Sequence, residues 1–153
     1  MIDLGIALLL EQAGYGEYGK TIFWNVSPVF GSGEVSSQYG IWVNAQAIGV
    51  NGDMYTDTVT IATRYSDALK QGEVLTDLMK YARDGLKDVC TISLDPYVKG
   101  FTYPYVDIKP PAGISFDAVD GEGRWVKSLH MDVSYKLPTA DDTIWESMRL
   151  AGE

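Results

Sequence analysis

Residues 41–65 read IWVNAQAIGVNGDMYTDTVTIATRY, and this stretch decides the fold. Ile41, Val43, Ala45 and Ala47 alternate with Trp42, Asn44 and Gln46. Val59, Ile61, Thr63 and Tyr65 alternate in the same way with Thr58, Thr60, Ala62 and Arg64. A period of two places successive side chains on opposite faces of a strand. Between the two runs lies Val50-Asn51-Gly52-Asp53, and Asn-Gly readily adopts the positive φ that a tight hairpin turn requires. The stretch predicts a long antiparallel hairpin.

Working outward toward the C-terminus, Ser66 and Asp67 are good helix caps. Leu75, Leu78, Met79, Ala82 and Leu86 then follow the spacing of one helical face, with Lys70, Asp77, Lys80 and Arg83 on the other sides and Gly85 as the stop near residue 84. A strand over 89–94 follows, in which Cys90, Ile92 and Leu94 alternate as its apolar face, so Cys90 is expected to be a small core hydrophobe. Residues 95–124 are rich in Pro and Gly and read as a long loop with one short strand near 114–119. The last strand alternates Trp125, Leu129, Met131, Val133, Tyr135 and Leu137 against Ser128, His130, Asp132, Ser134 and Lys136, and Pro138 ends it. Residues 139–153 form a polar tail with a short helix over about 143–150.

Toward the N-terminus, Asp3 can cap a helix that runs to about Ala13, with Gly14 just past its end. Ile6, Ala7, Leu8, Leu9 and Leu10 make this helix apolar on nearly every side, so it must be covered on more than one face, by its own domain or by a neighbouring subunit. A short strand is expected over 21–26, broken by Pro28 and Gly31-Ser32-Gly33. The order is α-β-β-β-α-β-(β)-β. It describes one α+β domain over residues 1–138, with a mostly antiparallel four- or five-stranded sheet and two helices packed on one face.

Composition narrows the function. With 153 residues, 46% hydrophobic and 22% charged, the chain is globular, and its net charge of −9 disfavours general attraction to a phosphate backbone. The single cysteine excludes an intramolecular disulfide. Residues 4–10 are too short an apolar run to span a membrane, and no basic segment precedes them, so neither an export signal nor an anchor is expected and the chain should fold in a cytoplasm.

Chemistry-bearing motifs are sparse. One histidine, His130, on the polar face of a strand does not make a metal centre, and it reads as a surface or interface residue. No Gly-x-Ser-x-Gly elbow, P-loop or dinucleotide fingerprint occurs. Asn51-Gly52-Asp53 lacks the ordered ligands and terminal glutamate of a calcium loop, and a hairpin turn explains it better. Asp117 with Asp120, or Asp141 with Asp142, are carboxylate pairs of the type used in glycoside hydrolysis, although acidic loops are usually just solvated. No catalytic, metal or cofactor-binding residue is assigned.

The aromatics carry more information. Ten Tyr, four Trp and four Phe are present, many of them in the two long loops. They suit a subunit interface, a β-rich core with loops folded over it, or a carbohydrate- or ligand-binding groove. The candidate subunit or partner contacts are Tyr18, Trp24, Asn51, Asp53, Tyr55, Phe101, Tyr103 and Tyr105, chosen for aromatic content and expected exposure.

One further pattern extends over residues 41–94. The hairpin leads into Asp57-Thr58-Val59-Thr60-Ile61-Ala62-Thr63-Arg64-Tyr65-Ser66-Asp67, then a helix with Gly72, Leu75, Leu78 and Gly85, then Cys90-Thr91-Ile92-Ser93-Leu94. With the apolar first helix and the long last strand, this organisation resembles the tail terminator or minor capsid proteins of long-tailed bacteriophages. The resemblance implies a hexameric ring that caps the tail tube, ends its polymerisation and joins it to the head-completion proteins. It further implies no enzymatic activity and no cofactor, a lumen through which DNA passes without specific binding, and a place at the head-proximal end of the virion tail after assembly in the host cytoplasm. Another head–tail connector ring, a stopper or adaptor, is the nearest alternative. An aromatic-loop ligand-binding module is the alternative from a different class. Residues 95–124 and the tail after Pro138 depart from the pattern.

Overall fold

In the computed structural model, residues 1–24, 40–119 and 125–138 are described, without the side chains of residues 117–119. The hairpin forms as its sequence dictates. Strand β2 (Gly40–Asn51) pairs antiparallel with β3 (Met54–Tyr65), from Gly40 opposite Arg64 to Asn51 opposite Met54, leaving Gly52 and Asp53 as a two-residue turn. Gly52 has φ +64°, the left-handed conformation that a glycine enters without the Cβ clash. Each strand is 12 residues long, and a bulge between Ala47 and Gly49 shifts the register.

Strand β8 (Trp125–Lys136) runs antiparallel along the whole of β3 and is the hub of the sheet. Its other edge carries two strands laid end to end, β6 (Tyr105–Ile108) and β7 (Ile114–Val119). Pro110 and Pro111 lie between them, where no ladder donor is lost. Strand β1 (Ile22–Trp24) pairs parallel with Ile41–Val43 of β2. The main sheet thus has six strands, mostly antiparallel, rather than four or five, in the order β1-β2-β3-β8 with β6 and β7 beyond. A separate two-stranded sheet joins β4 (Ile92–Ser93) to β5 (Thr102–Tyr103).

Two helices cover one face. Helix α2 (Ala68–Lys80) begins at Asp67, whose carboxylate accepts from the Leu69 and Lys70 amides, as its sequence predicts. It turns Leu75 and Leu78 inward and continues through a π-helical turn, Tyr81–Gly85. Gln71, fully buried, ties α2 to the sheet by donating to the Trp125 carbonyl at 2.8 Å and to Thr63. Helix α1 (Ile2–Gln12) is buried along nearly its whole length. The domain itself covers it: β1 and β2 lie on one side, and Gly5 lies so close to Ile92 that a Cβ there would stand 2.5 Å from the Ile92 side chain. Tyr15 and Tyr81 join the two helices, with ring centroids 5.4 Å apart.

Asp3 does not cap α1; Met1 occupies the cap position and Asp3 sits in the first turn, accepting from the Leu4 amide. Cys90 is exposed and is not a core residue. Its carbonyl accepts from the Val106 amide, so at residue 90 the chain is held by its backbone and the thiol faces outward; only Ile92–Ser93 forms a strand. The tail 139–153, with its expected helix, and the breaks at Pro28 and Gly31–Gly33 lie outside the described residues.

Candidate interaction surface

The hairpin turn, the end of β8 and the start of β6 meet at one end of the sheet. Asp53 Oδ2 lies 3.4 Å from Lys136 Nζ, and that ammonium stands 5.9 Å from the centre of the Tyr105 ring. The ion pair is largely solvated and contributes little stability. Asp53, Tyr55, Pro104, Lys136 and Leu137 line a shallow depression of about 290 Å³. Beside it, β2 exposes two large apolar side chains, Ile48 at 55% and Val50 at 63%.

An aromatic ladder connects this end to the core. Tyr55 stacks on Tyr135 at 5.8 Å, Tyr103 meets Tyr135 edge-on at 5.2 Å, and Phe101 meets Tyr103 edge-on at 5.1 Å. The Tyr135 hydroxyl donates to Asp57 Oδ1 at 3.1 Å. Burial, reinforced by the neighbouring Asp57 charge, pushes the Tyr135 phenol well above its ordinary pKa, and burial does the same to Tyr103.

The structure brings Asn51, Asp53, Tyr55 and Tyr105 together at this end. Phe101 and Tyr103 are not exposed as expected: they are 1% and 2% exposed and belong to the core. Their inward turn follows from β5, whose period of two buries Tyr103 and exposes Thr102. Tyr18 and Trp24 lie elsewhere. Tyr18 is half-buried, its amide donating to Glu11 and its ring edge-on to Tyr97 at 5.0 Å. Trp24, half-buried against the core, pairs with Val43 at the end of β2 remote from the turn. Sequence reasoning missed Ile48 and Val50. The signal was there in Ala47-Ile48-Gly49-Val50, where strict alternation fails because the bulge lies there.

The sheet face opposite the helices carries a hydroxyl ladder. Thr56 bonds Ser134 at 2.9 Å, Thr58 donates to Asp132 at 3.1 Å, and Thr60 bonds His130 Nδ1 at 2.9 Å. On its other side His130 Nε2 lies 3.0 Å from the Ser115 hydroxyl and 3.2 Å from that of Ser128. A serine beside a histidine is half of a hydrolytic triad, but the orienting position is held by the Thr60 hydroxyl rather than by a carboxylate. Asp132 is engaged with Thr58, and His130 is exposed on an open sheet face. Among the described residues no group of three or more His, Cys, Asp or Glu is placed to hold a metal ion. No helix among them is long and apolar enough to cross a membrane. Two further shallow depressions, of about 520 and 360 Å³, follow the outer side of α2 and its C-terminal end beside Pro110 and Pro111.

A comparison with protein-family models and with curated proteins finds no match for this chain.

Proposed function

We propose that this chain is a structural ring subunit of a tailed-phage virion and works as the tail terminator: it caps the tail tube, ends its polymerisation and presents a surface to the head-completion protein. The observation that carries this reading is the apolar and aromatic end of the sheet, where Tyr55, Tyr105 and Leu137 lie about one solvated ion pair and the adjoining β2 exposes Ile48 and Val50. Exposed apolar clusters with aromatic residues and few charges mark surfaces that partners cover. In this reading the hydroxyl-lined sheet face forms the wall of the lumen. Between Thr56–Thr60 and His130–Ser134 it offers hydroxyls, one imidazole and Asp132, with no lysine or arginine to grip passing DNA. The ligand-module reading depended on loop aromatics, and Phe101 and Tyr103 are enclosed by the fold.

Electron microscopy of particles lacking this protein tests the proposal. Overlong or irregular tails that fail to join heads are expected. Tails of normal length on leaking heads replace the terminator with a stopper or adaptor, and a monomer that binds oligosaccharide removes the ring reading altogether.

A further inference from the structure

Helix α2 carries a groove along its outer side. At its C-terminal end Thr76, Met79, Lys80 and Arg83 form one wall, and Pro110 and Pro111 of the β6–β7 connection form the other, around a depression of about 360 Å³. Thr76 and Lys80 also line the larger depression that continues along α2 past Asp77 and Glu73 to Leu69, which is 75% exposed. Met79 is a half-buried, adaptable thioether, and the two prolines are stiff apolar surface with no amide to satisfy, so the walls suit an apolar side chain.

The charges along this groove are ordered. From the C-terminal end of α2 backward they read Arg83, Lys80, Asp77 and Glu73, two cations and then two anions. Arg83 shares its charge with the adjacent Asp84, 3.1 Å away, and Lys80 and Lys87 also stand near that carboxylate. Residues 139–153 carry the complementary order: Asp141, Asp142 and Glu146, and then Arg149. Among them Ile144, Trp145 and Met148 have the i, i+1, i+4 spacing of one helical face.

Position supports the same direction. The Gln71 side chain meets the Trp125 carbonyl, whereas the Lys109 amide, next to Pro110, meets the Asp132 carbonyl, so α2 runs along β8 with its C-terminal end toward Lys136. A chain that leaves β8 at Pro138 and turns back over the helices therefore meets Arg83 and Lys80 before Asp77 and Glu73. Pro138 lies six residues beyond Asp132, or about 20 Å at roughly 3.3 Å per strand residue. Trp145 stands seven residues past Pro138, and such a link spans about 23 Å when extended.

We propose that residues 144–150 dock in this groove of their own chain, antiparallel to α2, with Trp145 and Met148 against Met79, Pro110 and Pro111. Asp141, Asp142 and Glu146 then face Lys80 and Arg83, and Arg149 faces Asp77. The occupant is the same chain because its reach matches the distance, its charges match in order, and covalent linkage gives it a high effective concentration over any free partner. Exposed ion pairs contribute little, so the charges set the direction and the buried indole holds the contact. The inference stands apart from the ring reading and needs no virion for its test.

The full chain with Cys90→Ser, which removes its only cysteine, provides that test. One variant adds Thr76→Cys and Ser147→Cys; a second adds Asp132→Cys and Ser147→Cys. Thr76 and Asp132 are both exposed, and Asp132 lies level with Pro110 but on the sheet face opposite the helices. With a short bis-maleimide the first pair should bridge within one chain about tenfold faster than the second, at a rate independent of protein concentration. Trp145→Ala with Met148→Ala should abolish that advantage, and Lys80→Glu with Arg83→Glu should reduce it about threefold. All replaced residues are exposed or lie in 139–153, so circular dichroism should match the parent throughout. Equal rates for the two pairs, or a first-pair rate that Trp145→Ala with Met148→Ala leaves unmoved, overturn the docking. Bridging between two chains, with a rate that rises with concentration, places the segment in a neighbour's groove and overturns the same-chain contact.

Discussion

Replacing Phe101 by Ala separates the core from the contact surface more sharply than any other single change. Phe101 is 1% exposed, sits edge-on to Tyr103 and belongs to the main apolar cluster. Truncating a buried Phe removes its transfer free energy and leaves a cavity, a combined cost of about 3–5 kcal/mol. Native domains have only about 5–15 kcal/mol to lose. At about 2–4 °C per kcal/mol for a chain of this size, the midpoint should fall by roughly 6–20 °C. Tyr105→Ala, two residues beyond Tyr103 but on β6 and 44% exposed, should stay within about 0.5 kcal/mol. Urea unfolding of both variants, followed by tyrosine and tryptophan fluorescence, gives the comparison. A Phe101→Ala cost below about 1 kcal/mol with an unchanged denaturant slope, or equal costs at the two positions, would refute the placement of this segment in the core.

Three further outcomes follow from the geometry. Asp67→Ala removes the carboxylate that accepts from the Leu69 and Lys70 amides, and chemical denaturation should show a loss of about 0.5–2 kcal/mol. Burial, followed by Asp77, pushes the Tyr15 phenol up to about 12, and burial also raises Tyr81, Tyr103 and Tyr135. A raised folded-state pKa means the stabilisation is fully present below about 10, the unfolded value, and disappears as pH climbs through the folded value. Stability should therefore hold up to about pH 10 and fall from there to about pH 12, and a flat profile contradicts these placements. Cys90, the only cysteine and exposed, should react with a disulfide reagent in the native protein at a rate close to that in denaturant; strong native protection would return it to the core.

The parts of the fold legible in sequence were those whose side chains repeat. The hairpin, α2 and β8 each carry a long period of two or of 3.6 residues, and each forms where its period lies. Trp42 shows the limit of that reading. Its alternation places it with Asn44 and Gln46, yet it is fully buried, stacked on Phe23 and covered by the Arg64 guanidinium at 4.7 Å. A cation over an indole is a tertiary contact that periodicity does not announce. The 95–124 segment failed for a different reason. Pro104 separates β5 from β6, so these two strands, too short to show a period, read as loop, whereas the short strand expected near 114–119 forms as β7. The same brevity hid Cys90, since an alternation over 89–94 suggested a six-residue strand where only two residues pair. Of the candidate residues, the position of those at the hairpin turn was legible because Asn-Gly fixes the turn. Phe101 and Tyr103 were misplaced because an aromatic residue in a turn-rich segment looks the same whether it faces water or the core.

Strand β8 has a consequence for how the chain is made. It pairs with β3 on one side and with both β6 and β7 on the other, and it follows all three in sequence. During synthesis those three strands wait with open ladders until Trp125–Lys136 leaves the ribosome, and α2 waits with them for the Trp125 carbonyl that Gln71 grips. The nascent protein is therefore most at risk of strand exchange with its siblings in the interval before residue 125 emerges, and a pause in translation there should shift yield from soluble to aggregated chain.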